Sequence, residues 1–104
     1  MNKLIVDGRC GKFTKSLVEP TKSRVSRYIN LLENNGVFLS MPYAKKISGS
    51  LYELRIRGRL EIRLIYAFYG QTIWVLHGFI KKTNKTPDKE IRTAQKRFLE
   101  LTKT

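Results

Sequence analysis

The stretch Leu51-Tyr52-Glu53-Leu54-Arg55-Ile56-Arg57, followed by Leu60-Glu61-Ile62-Arg63-Leu64-Ile65-Tyr66-Ala67-Phe68-Tyr69, decides how this chain folds. Even positions are apolar in both halves, and from Glu53 onward the odd positions of the first half are charged. This is the period-two signature of half-buried strands. A three-residue loop at Gly58-Arg59-Leu60 keeps the two apolar faces together and sets Arg57 opposite Glu61 and Arg55 opposite Arg63. A two-residue loop would oppose Arg55 to Ile62 and mix the faces.

Downstream, Gly70-Gln71 suits a two-residue turn into Thr72–Ile80, a near-continuous apolar run of the kind a central strand shows when both faces are covered. A helix is predicted from Thr86-Pro87, with Thr86 as cap, Pro87 at the first helical position, and Asp88 and Glu90 in the first turn. Its apolar stripe is Ile91, Ala94, Phe98 and Leu101. Upstream, residues 37–50 show no clear period, and Met41-Pro42 with Gly49 predicts a loop there with room for one helical turn. Before it, Val25, Ile29 and Leu32 fall on one face of a helix that starts near Pro20 and ends at Asn34-Asn35-Gly36. A shorter helix is expected over about Lys12 to Val18, and Lys3 to Asp7 suits a first strand.

The expected fold is therefore α+β: a small antiparallel sheet made of an N-terminal strand plus a three-stranded meander, with two N-terminal helices and a C-terminal helix. The helices cover one face and the other is basic. No repeat or linker divides the chain, so residues 1–104 are expected to form a single domain.

The chain carries 21 Lys and Arg against 8 Asp and Glu, a formal charge of +13 over 104 residues. Such a density points to a polyanionic partner, because neutralising phosphates releases condensed counterions. RNA, duplex, ribosome and anionic membrane all satisfy that charge. Cys10 is the only cysteine, which excludes an intrachain disulfide and cysteine-based zinc sites and fits a reducing cytoplasm. The apolar run in Met1–Asp7 is too short for a signal-peptide core or a membrane span, so neither export nor membrane insertion is expected. One His, one Cys and scattered acids offer no metal-ligand spacing, and no glycine-rich phosphate loop is present. Ser48 and Ser50 lack a His/Asp arrangement for nucleophilic chemistry.

Arg55, Arg57 and Arg63 cluster around Glu53 and Glu61 on the polar face of the hairpin. They make either a solvated face with two ion pairs or an anion site for phosphates, which planar guanidinium forks suit well. Lys81-Lys82-Thr83-Asn84-Lys85-Thr86-Pro87 emerges directly after the central strand, with three lysines and no acid. It reads either as a polar loop or as an extension of the basic surface, and Lys45 and Lys46 add two further charges. His77, the only histidine, cannot supply both the acid and the base of a two-histidine ribonuclease. With the two-residue turn it faces Leu64 on the core side, where a satisfied core histidine is favoured over a catalytic one.

Gly49–Arg55, Ile62–Tyr66, Leu76–Pro87 and Glu90-Ile91 together resemble the phage-derived, HigB-like branch of the RelE toxin superfamily. The most specific piece is His77-Gly78-Phe79-Ile80-Lys81-Lys82-Thr83-Asn84-Lys85-Thr86-Pro87. The resemblance implies the RelE fold and a type II toxin that cuts messenger RNA in the ribosomal decoding site without a cofactor or metal. It also implies a helix-turn-helix, HigA-like antitoxin encoded next door and a cytoplasmic, bacterial or phage-encoded protein. By the same resemblance Arg63 matches a phosphate-contact position, Lys81 or Lys82 the basic residue after the last strand, and Arg55 a basic strand position. Glu53 stands where some relatives have lysine. Arg57, Arg59, Lys45, Lys46 and Lys85 are candidate RNA contacts.

Cleavage by 2′-hydroxyl attack needs proton removal, stabilisation of the crowded phosphorane and protonation of the leaving oxygen. Several superfamily members carry a functional tyrosine or histidine near the C-terminus, and neither type follows Lys82 here. Glu53, Glu61, His77 or contacts with the ribosome stand as alternatives for the base. Two other readings use the same basic face: a non-enzymatic RNA- or ribosome-binding module, and a degenerate toxin retained for antitoxin binding.

Overall fold

The computed structural model describes residues 2–103, so the ends of the expected 1–104 domain, Met1 and Thr104, lie outside the described residues. Strands β1 (Lys3–Val6), β2 (Ala44–Ser48), β3 (Leu51–Ile56), β4 (Ile62–Tyr69) and β5 (Thr72–Ile80) form one sheet in the order β1-β5-β4-β3-β2. Helices α1 (Gly8–Ser16) and α2 (Thr21–Asn35) precede β2, and α3 (Asp88–Thr102) follows β5.

The hairpin folds as its alternation requires: Arg55 pairs with Arg63, and Ile56 with Ile62. Tyr69 pairs with Thr72 across the two-residue turn, whose Gly70 and Gln71 have φ of 57° and 64°. Left-handed backbone at both positions gives a turn twisted in the same sense as the strands it joins.

The sheet is mixed rather than wholly antiparallel, because β1 runs parallel to β5. A central strand needs partners on both sides, and the alternation that reveals a strand carries no information on its direction. Residues 37–50 are not all loop either: Ala44–Ser48 pairs with β3 as an edge strand, Lys45 opposite Glu53. A register shift between Lys46 and Ser48 breaks the alternation, and exposed lysines are a usual protection of a sheet edge. The first helix begins at Gly8, ahead of the expected Lys12, because the Asp7 carboxylate accepts from the Arg9 N–H (2.9 Å) and caps it.

Helices lie on both faces instead of one. Val25 and Leu32 of α2, with Cys10 and Leu17, pack on Leu54, Ile62, Leu64, Tyr66 and Val75. On the other face Ala94, Ile91 and Phe98 of α3 cover Ile65, Ala67, Leu76 and Phe79. The basic surface is thus half a face: α3 lies over β4 and β5, leaving the β2–β3 side and the hairpin's loop end uncovered.

A bulge between Ile65 and Tyr66 shifts the β4–β5 register by one residue. Gly78, not His77, stands opposite Leu64, and His77 pairs with Ile65 beneath α3. The expectation that His77 faces Leu64 fails for this reason. A bulge adds one residue to a strand, which strict alternation does not anticipate.

Candidate active site

Of the odd positions of β3 and β4, Glu53, Arg55 and Arg63 reach the uncovered half-face, and the register sets the two arginines side by side there. Arg63 is buried at 2% exposure: its Nη1 donates to the Ile62 carbonyl (3.0 Å) and its Nη2 to Glu61 Oε1 (3.2 Å). Arg55 lies 3.9 Å from Glu53 through Nε and 3.4 Å from the Met41 sulfur through Nη1. The Nε atoms of both arginines are buried without a hydrogen-bond partner. Buried donors with nothing to donate to are costly, and guanidinium forks beside an open hollow suit the oxygens of an anion.

Lys81 completes the cationic group. Its backbone N–H donates to the Glu61 carbonyl (2.7 Å), holding the strand exit against β4, and its Nζ donates to the Asn84 carbonyl (2.8 Å). Burial, then the neighbouring charge of Arg63, lowers the affinity of this ammonium for its proton, with Arg55 and Arg57 adding to the effect and Glu53 opposing it. Partial burial works to raise the Glu61 carboxyl. The Gly58 N–H, the Arg63 hydrogen bond and the charges of Arg63 and Arg57 outweigh it and hold that carboxyl below its ordinary range.

Two hollows open on this surface. One, of about 320 Å³, is lined by Arg55, Arg57, Glu61, Arg63 and Lys81 with loop residues Thr83 and Asn84. The other, of about 330 Å³, is bounded by Lys45, Lys46, Lys85, Glu53, Arg55 and Thr86, with Ile47 and Ile91 as apolar lining. Arg55, Lys81 and Asn84 belong to both.

The structure therefore brings together Arg55, Arg57, Arg63, Lys81 and Glu53, with Lys45, Lys46 and Lys85 beside them. It leaves Lys82 and Arg59 exposed and outside both hollows. His77 is elsewhere: Arg97 Nη1 lies 3.3 Å from its Nδ1, which places the ring proton on Nε2, facing Glu90 Oε1 at 2.7 Å. It is a satisfied histidine that fastens α3 to β5. Among the described residues no three His, Cys, Asp or Glu side chains gather as a metal site.

Thr86 is the residue that sequence reasoning misassigned. Its hydroxyl caps nothing, since α3 starts after Pro87 without a side-chain cap. It donates instead to Glu53 Oε1 (2.8 Å), inside the protein. A partner 33 residues away leaves no local signal, whereas a cap does.

Two solved structures share this fold. It matches the E. coli toxin RelE, an arginine-to-alanine double mutant in the free state, with a TM-score of 0.68 at 18% identity over 94% of this chain and 98% of that one. It also matches a chain of the YoeB-YefM complex from Staphylococcus aureus, with a TM-score of 0.57 at 13% identity over 80% of this chain and 98% of that one. The chain belongs to the family of the phage derived protein Gp49-like, whose pattern spans residues 12–99. That membership bears out the phage-derived resemblance carried by the His77–Pro87 stretch. No curated protein matches the chain.

Proposed function

We propose that this protein is the toxin of a type II toxin–antitoxin pair, a metal-independent endoribonuclease that cuts messenger RNA in the ribosomal decoding site of the bacterial cytoplasm. The observation that carries the reading is the pair of opposed arginines, each with a buried, unpartnered Nε, joined by Lys81 at one open hollow. The family and the fold shared with RelE and YoeB support it.

In this reading a 2′-hydroxyl oxygen bonds to the adjacent phosphorus as the 5′-oxygen leaves, through a phosphorane with extra negative charge. Arg63 and Arg55 donate to its equatorial oxygens, in a partly buried site where such donors act strongly. The Lys81 ammonium gives its proton to the leaving oxygen, a role helped by a lowered proton affinity. Glu53 and Glu61, which line the hollows, are the base candidates, and His77 is not, since it lies under α3. Arg57, Lys45, Lys46 and Lys85 hold the RNA backbone. An adjacent-gene helix-turn-helix antitoxin of HigA type is the neutralising partner.

Primer-extension mapping of a defined messenger RNA in a purified translation system tests this, with wild type and Arg63→Ala, each with and without ribosomes. Codon-phased cuts that need ribosomes and vanish in the variant are expected. Binding to ribosomes with no cuts from folded wild type would replace the reading with a non-catalytic RNA-binding module.

A further inference from the structure

The second hollow is chemically unlike the arginine hollow it adjoins. Ile47 and Ile91 give it apolar surface, and Glu53, only 3% exposed, contributes a carboxylate. Thr86 donates to Oε1 of that carboxylate at 2.8 Å, while Oε2 has Arg55 Nε at 3.9 Å, beyond hydrogen-bond range. Its rim lysines draw in a polyanion as the arginines do, but the carboxylate at its wall adds an acceptor that the apolar surface beside it sets apart from a plain phosphate site. A flat heterocycle with N–H donors along one edge suits such a lining, which offers isoleucine side chains for its faces and a carboxylate for its edge. The volume of about 330 Å³ lies at the small end of ligand clefts. Because the two hollows share Arg55, Lys81 and Asn84, groups bound in them are neighbours, as a base is to its backbone phosphate.

We infer, resting on the RNA-cleavage reading above with Glu61 rather than Glu53 as its base, that this hollow is a nucleobase subsite in which Glu53 reads the base edge, preferring guanine and rejecting uracil. Guanine offers a ring N–H and an amino group side by side, two donors for two carboxylate oxygens. Each oxygen has two acceptor positions, so Oε1 keeps its bond from Thr86. Adenine and cytosine offer one amino donor next to a ring acceptor. Uracil presents a single N–H between two carbonyl oxygens, both repelled by the carboxylate. Thr86 acts as a positioning residue that fixes the plane of the carboxylate.

The test is binding, independent of any cleavage: guanosine and uridine 5′-monophosphates are titrated into the whole chain while the Ile47 and Ile91 methyl signals are followed by NMR. Guanosine monophosphate should bind on the order of tenfold tighter than uridine monophosphate and shift both methyls, given the usual discrimination of a two-donor pair. Glu53→Gln, whose amide replaces one acceptor by a donor, should remove most of the preference. If that variant does not fold, Thr86→Val, which keeps the carboxylate and frees its orientation, should reduce it. Equal affinity for the two nucleotides, shifts confined to other sites, or a preference unchanged in a folded variant would overturn the inference. A chain that discriminates nucleotides yet cuts no RNA would instead defeat the cleavage reading and leave this subsite standing.

Discussion

Arg55 and Arg63 stand directly opposite each other in adjacent antiparallel strands, with only Glu61 at 3.2 Å from Arg63 and Glu53 at 3.9 Å from Arg55 to offset the repulsion. Like charges in that position destabilise a sheet by roughly 0.2–1 kcal/mol. Removing one partner of an ion pair is costly where it strands a buried charge, but Glu61, with 35% of its side chain exposed, keeps solvent, the Gly58 N–H at 3.3 Å and Arg57 at 3.9 Å. Arg63→Met should therefore keep or raise the thermal midpoint while lowering the cleavage rate by about 10²–10³, the usual effect of removing one transition-state donor. Thermal melts and single-turnover cleavage on the same preparation decide it; a large fall in stability would show that Arg63 serves the fold.

Lys81 and Lys82 are adjacent in sequence and unequal in structure, since only Lys81 lines the hollows. Lys81→Ala should lower cleavage by about 10²–10⁴, the range for a proton-transfer group, while Lys82→Ala changes it little. A Lys81 acid works only while protonated, and its proton affinity is lowered by burial and by Arg63. The alkaline fall in rate should accordingly begin below the 10.5 of an ordinary lysine. In Lys81→Arg that fall should move upward, and a pH–rate profile unchanged by the arginine would remove Lys81 from the proton transfer.

The strands of the hairpin, the turn at Gly70-Gln71 and the α3 stripe were legible because each is a local pattern enforced by burial on one side. The same pattern puts Arg55 opposite Arg63, so the pairing of these two arginines is legible in the sequence itself. What escaped depends on contacts distant in sequence. β2 is irregular because an edge strand buries little, and the direction of β1 is set by β5, far along the chain. The place of His77 turned on one bulge, and Thr86 gave up an ordinary cap for a carboxylate on another strand.

Gly78, which stands opposite Leu64, sits where no side chain fits. A Cβ built on Gly78 would lie 2.7 Å from Leu64 Cδ2 and 2.7 Å from Phe13 Cδ2, both closer than carbon atoms tolerate. Gly78→Ala is expected to cost about 1–3 kcal/mol, typical of overpacking in a filled core. Chemical denaturation should show a lower midpoint with an unchanged slope. A companion Phe13→Leu substitution, which opens the space, should recover part of the loss; full stability in Gly78→Ala alone would contradict the close packing.

Asp7 links the first strand to the first helix, its carboxylate accepting from the Arg9 N–H at 2.9 Å and from the Arg9 guanidinium at 2.8 Å. The side-chain hydrogen bond from Arg9, aided by the backbone bond and outweighing partial burial, holds this carboxyl below its ordinary 3.8. A carboxyl with a lowered folded value adds stability that is present above the unfolded value and is lost as pH falls through the folded one. Asp7→Asn keeps the capping oxygen but not the charge, so at neutral pH it should be less stable by about 0.3–1 kcal/mol, the worth of a charge at a helix start. That gap should persist down to about pH 4 and close in more acid solution, where the wild-type carboxyl is protonated too. Parallel thermal melts of both proteins from pH 7 to pH 2 isolate Asp7 from the other acids, and a gap constant across that range would show that its charge contributes nothing to the fold.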